Sequence, residues 1–384
     1  MTTTTSLPEK GIFGTMNSET GISTDFVLSP TLAAAFGEDA AAPPLGGCCC
    51  LSCDSRRGDM PVRADAPGDP AAIPVDVDDI DTDPDQAVDG LFGYTYWADA
   101  SLSFSFPASA SEFGAAHPEA VVQSGDVSPL SPAREDALRA VFDLYEEVAG
   151  LSFEELGDTP DESAADATIK IAMNDAGSSS FAYFPSSGPA GGDVFFSGRA
   201  FEGVSAPLRG DSAFFTALHE ICHSLGLKHP HDVGPGGQVP EDKDFSVYSV
   251  MSYNSARGDA PTDPYTSGAG SFSQTPMILD IAALQRLYGA NFDTRSGDTR
   301  YAFSPDTAVM TVNGVSGAPV RDNVILRTVW DGGGEDVYDF SAFDRDMQID
   351  LAPGEYVDLD VGGLGQRALL DNRNPDDVAG SYAE

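Results

Sequence analysis

The stretch His219-Glu220-Ile221-Cys222-His223-Ser224-Leu225-Gly226-Leu227-Lys228-His229 carries the most information in the chain. Its pattern is His-Glu-x-x-His-x-x-Gly-x-x-His. Three imidazoles and one carboxylate fall at a spacing that suits a single metal ion. The chain holds five histidines, and four of them (His219, His223, His229 and His231) lie within thirteen residues. Such gathering in a histidine-poor protein points to a built site.

On a helix, residues four apart share a face, about 5–6 Å from each other. His219 and His223 therefore reach one ion at zinc–nitrogen distances of about 2.0–2.1 Å. Glu220 projects about 100° round the helix from His219. It flanks the metal without ligating it and is placed to hold a water and take its proton. A straight helix would carry His229 away from the ion. Gly226 tolerates positive φ, so it can end the helix and turn the chain back. His231 is a rival third ligand, but the spacing favours His229. Three protein ligands leave a fourth position open, as catalytic zinc sites require and closed structural sites do not. The implied chemistry is polarisation of a carbonyl and activation of water, which suits peptide-bond hydrolysis.

Downstream runs Tyr248-Ser249-Val250-Met251-Ser252-Tyr253. A methionine in a tight turn beyond the long motif resembles the Met-turn of the metzincins. Met251 is then expected to form an apolar floor beneath the histidines, where a flexible thioether fills space well. The histidine stretch extended to Pro230, Ser249-Val-Met-Ser-Tyr253, and Asp280-Ile-Ala-Ala-Leu-Gln-Arg-Leu-Tyr-Gly-Ala-Asn291 together resemble the serralysins, over about residues 88–350.

That resemblance implies a secreted zinc endopeptidase acting on proteins or peptides, with one catalytic Zn2+ on His219, His223 and His229. Glu220 would be the general base. Tyr253 would be a further zinc ligand or a stabiliser of the tetrahedral intermediate. It also implies structural Ca2+ in a C-terminal β-roll, where calcium takes six to eight oxygens at about 2.3–2.6 Å. Carried over by position, the ligands are the carbonyls of Arg295, Gly297, Thr299 and Gly333 and the carboxylates of Asp331 and Asp336. Export in this family typically uses a C-terminal signal rather than a cleavable N-terminal one. The start Met1-Thr-Thr-Thr-Thr-Ser-Leu-Pro8 has no basic segment followed by an apolar core.

Two departures stand out. Cys222 occupies a position where the family usually has glycine; it reads as a small buried thiol. The Gly-Gly-x-Gly-x-Asp repeats of the β-roll are reduced to one degenerate copy at residues 332–339, so that domain reads as vestigial, absent or cut off.

Composition changes along the chain. Residues 1–87 are rich in Thr, Ser, Ala, Pro, Gly and Asp and read as a disordered or propeptide-like leader. This segment holds Cys48, Cys49, Cys50 and Cys53, a cluster unlike a spaced disulfide framework. A thiolate from it is a candidate inhibitor of the open metal position. Residues 88–290 read as the catalytic domain. Leu102–Phe106 alternates as a strand, and Ser131-Pro132 opens a helix with an apolar stripe of Leu138, Val141, Phe142, Tyr145 and Val148 that Gly150 ends. Thr168–Met173 and Asp193–Ser197 read as strands, the latter as an edge lining the cleft. The metal-site helix is expected from Asp211 or Ser212 to Leu225, and a third helix from Thr275-Pro276 to Gly289. The predicted fold class is α+β: a metzincin domain with a twisted mixed sheet and long helices, then a β-rich, incomplete domain over 291–384.

The charge balance of 20 Lys and Arg against 61 Asp and Glu gives a net −41. That argues against nucleic acid and anionic membranes as partners, since both require basic surface. No apolar run is long enough to span a membrane. A monomeric extracellular protein is expected. The competing reading is a calcium-dependent surface or matrix module with a degenerate protease domain; the intact motif weighs against it.

Overall fold

The computed structural model describes residues 13–16, 71–74, 86–157, 163–262 and 264–379. The Cys48–Cys53 cluster and the acidic run at 76–85 lie outside them. Of the segment read as a leader, Phe13–Met16 pairs antiparallel with Met347–Asp350, and Ala72–Pro74 pairs antiparallel with Thr95–Trp97.

The architecture is α+β. The main sheet runs in the order Ser152–Glu155, Ser101–Ser105, Ile169–Asn174, Val194–Ser197, Phe181–Ala182, with Val127–Ser128 paired to the far end of Ile169–Asn174. Its first three pairings are parallel and the last is antiparallel. Ile169–Asn174 and Val194–Ser197 are buried along their whole length, as expected where both faces of a sheet are covered. This corrects one expectation. Val194–Ser197 is an interior strand, flanked on both sides, and the edge is the short Phe181–Ala182. The near-continuous apolar run Val194-Phe195-Phe196 signals an interior strand, and Phe181–Ala182 is too short to show periodicity.

Two helices cover one face. Pro132–Val148 begins with proline at its first turn, where a missing N–H is harmless, and buries the predicted stripe of Leu138, Val141, Phe142, Tyr145 and Val148. Phe142 stacks on Phe104 of the sheet at 4.2 Å between ring centroids. The Tyr145 hydroxyl donates to the Leu218 carbonyl at 2.7 Å, joining this helix to Ser212–Ser224. The latter is buried on nearly every side, which explains its Phe, Ala, Leu and Ile content. The third helix, Ile278–Tyr288, starts three residues later than Thr275 suggested.

Beyond residue 290 the chain forms short strands. Val315–Ser316, Met310–Val312, Arg300–Phe303 and Val337–Asp339 make one sheet in that order, and Leu369–Asp371 pairs with Asn374–Val378. A separate apolar cluster of Tyr301, Phe303, Met310, Phe340, Met347, Ile349 and Leu359 underlies this part. Yet Leu326, Trp330, Ala368 and Leu370 pack into the main core with the helices. The C-terminal strands are therefore fused to the first core.

Candidate metal centre

The helix Ser212–Ser224 presents His219, Glu220 and His223, and all three are buried. The helix ends at Leu225, and Gly226 adopts φ +107°. A Cβ at Gly226 would lie 2.6 Å from the Thr95 carbonyl oxygen, so glycine is required by conformation and by space. The turn brings His229 back. Its Nε2 lies 3.2 Å from Nε2 of His219 and 3.1 Å from Nε2 of His223.

Each Nδ1 faces an acceptor. His219 Nδ1 is 2.8 Å from the Val250 carbonyl, His223 Nδ1 is 2.7 Å from the Leu227 carbonyl, and His229 Nδ1 is 2.9 Å from an Asp232 carboxylate oxygen. With the ring protons on Nδ1, the three Nε2 atoms converge as bare lone pairs. Burial lowers the His219 pKa to about 3, helped by the neighbouring His229, and burial likewise lowers His223. The His219 and His223 rings are neutral at physiological pH. Three lone pairs this close repel each other unless a cation lies between them. Tetrahedral zinc–nitrogen bonds of about 2.0–2.1 Å imply nitrogens about 3.3 Å apart, close to the separations found.

Glu220 is 5% exposed, and its Oε2 is buried without a hydrogen-bond partner. Burial alone pushes its carboxyl well above the usual carboxylate range. An orphaned carboxylate oxygen beside three converging imidazoles fits a divalent cation, whose charge reverses that shift. The residues present therefore fit zinc.

Met251 is fully buried, one residue beyond the carbonyl that holds His219. The Tyr253 ring lies 4.3 Å from the His229 ring and 5.9 Å from that of His219, measured between centroids. Cys222 is a free thiol with no exposed surface, and burial raises its pKa; it is not among the converging donors.

Asp232 and Asp280 carried no role in the sequence reading, and His231 was weighed there only as a rival third ligand. Asp232 orients His229, and its position three residues downstream was the available clue. His231 stacks on His229 with ring planes 2° apart, and with His229 and Asp232 it forms a second set of donor atoms within 4.8 Å of one another. Asp280, fully buried, accepts from the Ser249 hydroxyl at 2.6 Å and from the Val250 and Met277 N–H groups at 2.8 Å each. One carboxylate thus ties the start of the third helix to the Met251 turn and, through Val250, to His219. Burial raises Asp280 to about 6 against these hydrogen bonds.

The second predicted site lies where Arg300–Phe303 and Val337–Asp339 run parallel. Parallel pairing sets the loops that precede the two strands side by side. The Thr299 N–H donates to Asp336 at 2.9 Å, the Val337 N–H donates to the Thr299 carbonyl at 2.8 Å, and the Gly333 N–H donates to Asp331 at 2.8 Å. The Gly297 carbonyl accepts the Thr299 hydroxyl at 2.8 Å. Arg295 sits at φ +49°, and its guanidinium donates to the Trp330 carbonyl at 2.7 Å. Gly333 and Gly334 take φ +149° and +132°. Burial, with repulsion from Asp331, raises the Asp336 pKa. All six predicted residues belong to this loop pair.

The fold and the first site define an α+β protein with a buried three-histidine centre of the elongated His-Glu-x-x-His type. Residues 290–370 match the family description "Peptidase M10 serralysin C terminal". A serralysin of Proteus mirabilis is 31% identical over 299 residues, covering 72% of this chain and 56% of the relative. Metallopeptidase AprA of Pseudomonas marginalis is 36% identical over 196 residues, 49% of this chain and 40% of the relative. Serralysin A of Dickeya chrysanthemi is 36% identical over 193 residues, 50% and 38% respectively. The chain is a homologue of the serralysins. It spans 56% or less of the length of these relatives.

Proposed function

We propose that the protein is a secreted zinc-dependent endopeptidase that hydrolyses peptide bonds in proteins, with residues 88–290 as its catalytic domain and 291–384 as a calcium-binding β domain. The observation that carries the reading is the convergence of three Nε2 atoms at 3.1–3.2 Å beside the unpartnered Glu220 oxygen. The serralysin and AprA homologues add a metalloprotease context. Among the described residues, no helix is long and apolar enough to cross a membrane.

His219, His223 and His229 would hold the zinc, which would supply a Lewis acid and lower the pKa of water to about 7. Glu220 takes the proton of the attacking water and delivers it to the leaving amine. The dry surroundings of Glu220 strengthen its hold on that proton. Tyr253, packed against His229, steadies the developing oxyanion with its phenol or adds a further ligand. Asp232 and the Val250 and Leu227 carbonyls fix the imidazole tautomers. The loops at 294–299 and 331–336 would hold structural Ca2+, to which Asp331 and Asp336 would offer carboxylates.

Casein digestion with and without a zinc chelator, combined with zinc and calcium quantification, tests the reading. Digestion should stop on chelation and return with zinc. Proteolysis indifferent to chelation would remove the central claim.

A further inference from the structure

The seam between the C-terminal strands and the helices gathers three arginines, Arg209, Arg295 and Arg327. Arg209 lies in the turn that leads into the metal-site helix. Its backbone is bridged in parallel to Val320, and its carbonyl accepts the Arg321 N–H at 2.8 Å. Arg295 lies in the first loop of the loop pair. Its guanidinium donates to the Trp330 carbonyl at 2.7 Å and to a Glu147 carboxylate oxygen at 3.2 Å. Arg327 stands between two apolar clusters. Leu326 and Trp330 pack into the main core, while Ile325 and Val329 pack on the cluster beneath the C-terminal strands. The Thr328 N–H donates to the Thr275 hydroxyl at 2.9 Å, which fastens this segment to the residues before the third helix.

Two of these cations are left unsatisfied. The Nε atoms of Arg209 and Arg327 are buried without a hydrogen-bond partner. Among the described residues, the one carboxylate within bonding distance of the three is that of Glu147, and it bonds Arg295. Asp143 and Asp331 act on the cluster only at a distance. Burial lowers the pKa of Arg327 to about 10, and the positive charges of Arg209 and Arg295 add to the fall. Burial also lowers Arg209, against the pull of Glu147 and Asp143, and Arg295 adds to that fall. A buried cation is costly unless it is paired. The chain carries 61 acids against 20 Lys and Arg, so acids were plentiful, yet neither Arg209 nor Arg327 bonds one.

We propose that Arg209, Arg295 and Arg327 form a binding site for a small inorganic oxyanion, of sulfate or phosphate size, that joins the turn before the metal-site helix to the C-terminal strands. A guanidinium presents its N–H groups in a fixed planar fork that matches the oxygens of such an anion. Two enclosed Nε–H groups are available to donate to it. A water molecule could accept from one Nε–H but would leave the charge uncompensated. Chloride would bring the charge without the several oxygens the forks require. The site stands apart from the histidine centre and does not depend on the endopeptidase reading.

Titration of the full chain with sodium sulfate and sodium phosphate, against sodium chloride at matched ionic strength, tests the site. Equilibrium dialysis with radiolabelled sulfate should show one saturable site per chain. The Tm should rise with oxyanion concentration, as it does for a ligand of the folded state. Arg209→Gln and Arg327→Gln should each weaken sulfate binding about tenfold or more, the size of one lost charge-assisted hydrogen bond. Arg327→Lys keeps the charge but loses the fork, and should weaken binding less than Arg327→Gln does. Arg199→Gln, at an exposed arginine outside the cluster, should leave binding unchanged. No saturable binding to the unmodified chain, an equal rise in Tm with chloride, or full affinity in both glutamine variants would overturn the site. The first two outcomes need no variant, so the site stays refutable even where Arg327→Gln fails to fold.

Discussion

The histidine centre and the loop pair at 294–299 and 331–336 are built by opposite means. The first uses side chains on a buried helix, with every ring locked by an acceptor at its far nitrogen. The second uses backbone, with two carboxylates, loops aligned by a parallel strand pair, and glycines at positive φ. The helix centre is preformed by packing and asks only for neutral imidazoles. The loop pair relies on turns that lie outside the main core. Rigid side-chain chemistry suits catalysis, whereas adaptable carbonyl chemistry suits a hard ion that tolerates variable geometry.

The sharpest way to break this contrast is Glu220→Ala. Activity should fall by about a thousandfold or more, within or beyond the usual span for a lost general base, while zinc content and the loop pair stay intact. Parallel loss of zinc would show that the carboxylate holds the site together. Next comes Gly226→Ala. A Cβ forced against the Thr95 carbonyl at positive φ should cost about 2–3 kcal/mol, visible as a lowered Tm and weaker zinc binding; an unchanged Tm would contradict a preformed turn. Asp232→Asn should weaken zinc about tenfold to a hundredfold through His229, read by competition with a chromogenic chelator. Calcium removal, or Asp336→Asn, should lower the unfolding temperature of the C-terminal strands by a few degrees with little change in short-substrate turnover. The smallest effect belongs to Cys222→Gly. Restoring the family's usual glycine inside a packed helix should destabilise by about 1 kcal/mol, since glycine is a poor helix former; a gain in stability would mean the thiol is strained.

The two regions also differed in how well they could be read from sequence. The histidine spacing gives the converging imidazoles, the helix and the turn because periodicity of 3.6 residues and one glycine determine them. The three long helices, and the buried stripe of the first of them, follow from the same logic. The loop pair was visible only through resemblance, because backbone carbonyls leave no residue signature. Val194–Ser197 was misplaced at the edge because neighbour relations in a sheet are long-range, and a two-residue strand shows no alternation. Asp232 and Asp280 went unassigned for a related reason. A carboxylate that orients another group looks, in sequence, like any other acid in a chain with 61 of them.

Asp280 has a kinetic meaning as well. Its carboxylate closes a long loop, joining the start of the third helix to the turn that holds His219. Contacts so distant along the chain form late, because closure entropy precedes their reward. A ribosome that has delivered the whole histidine stretch has still not made a finished centre. The centre is then expected to be complete only once residues near 280 have emerged and docked. Arresting synthesis before and after residue 280 and measuring zinc uptake by the nascent chain would expose that delay, and equal uptake would show that it does not exist.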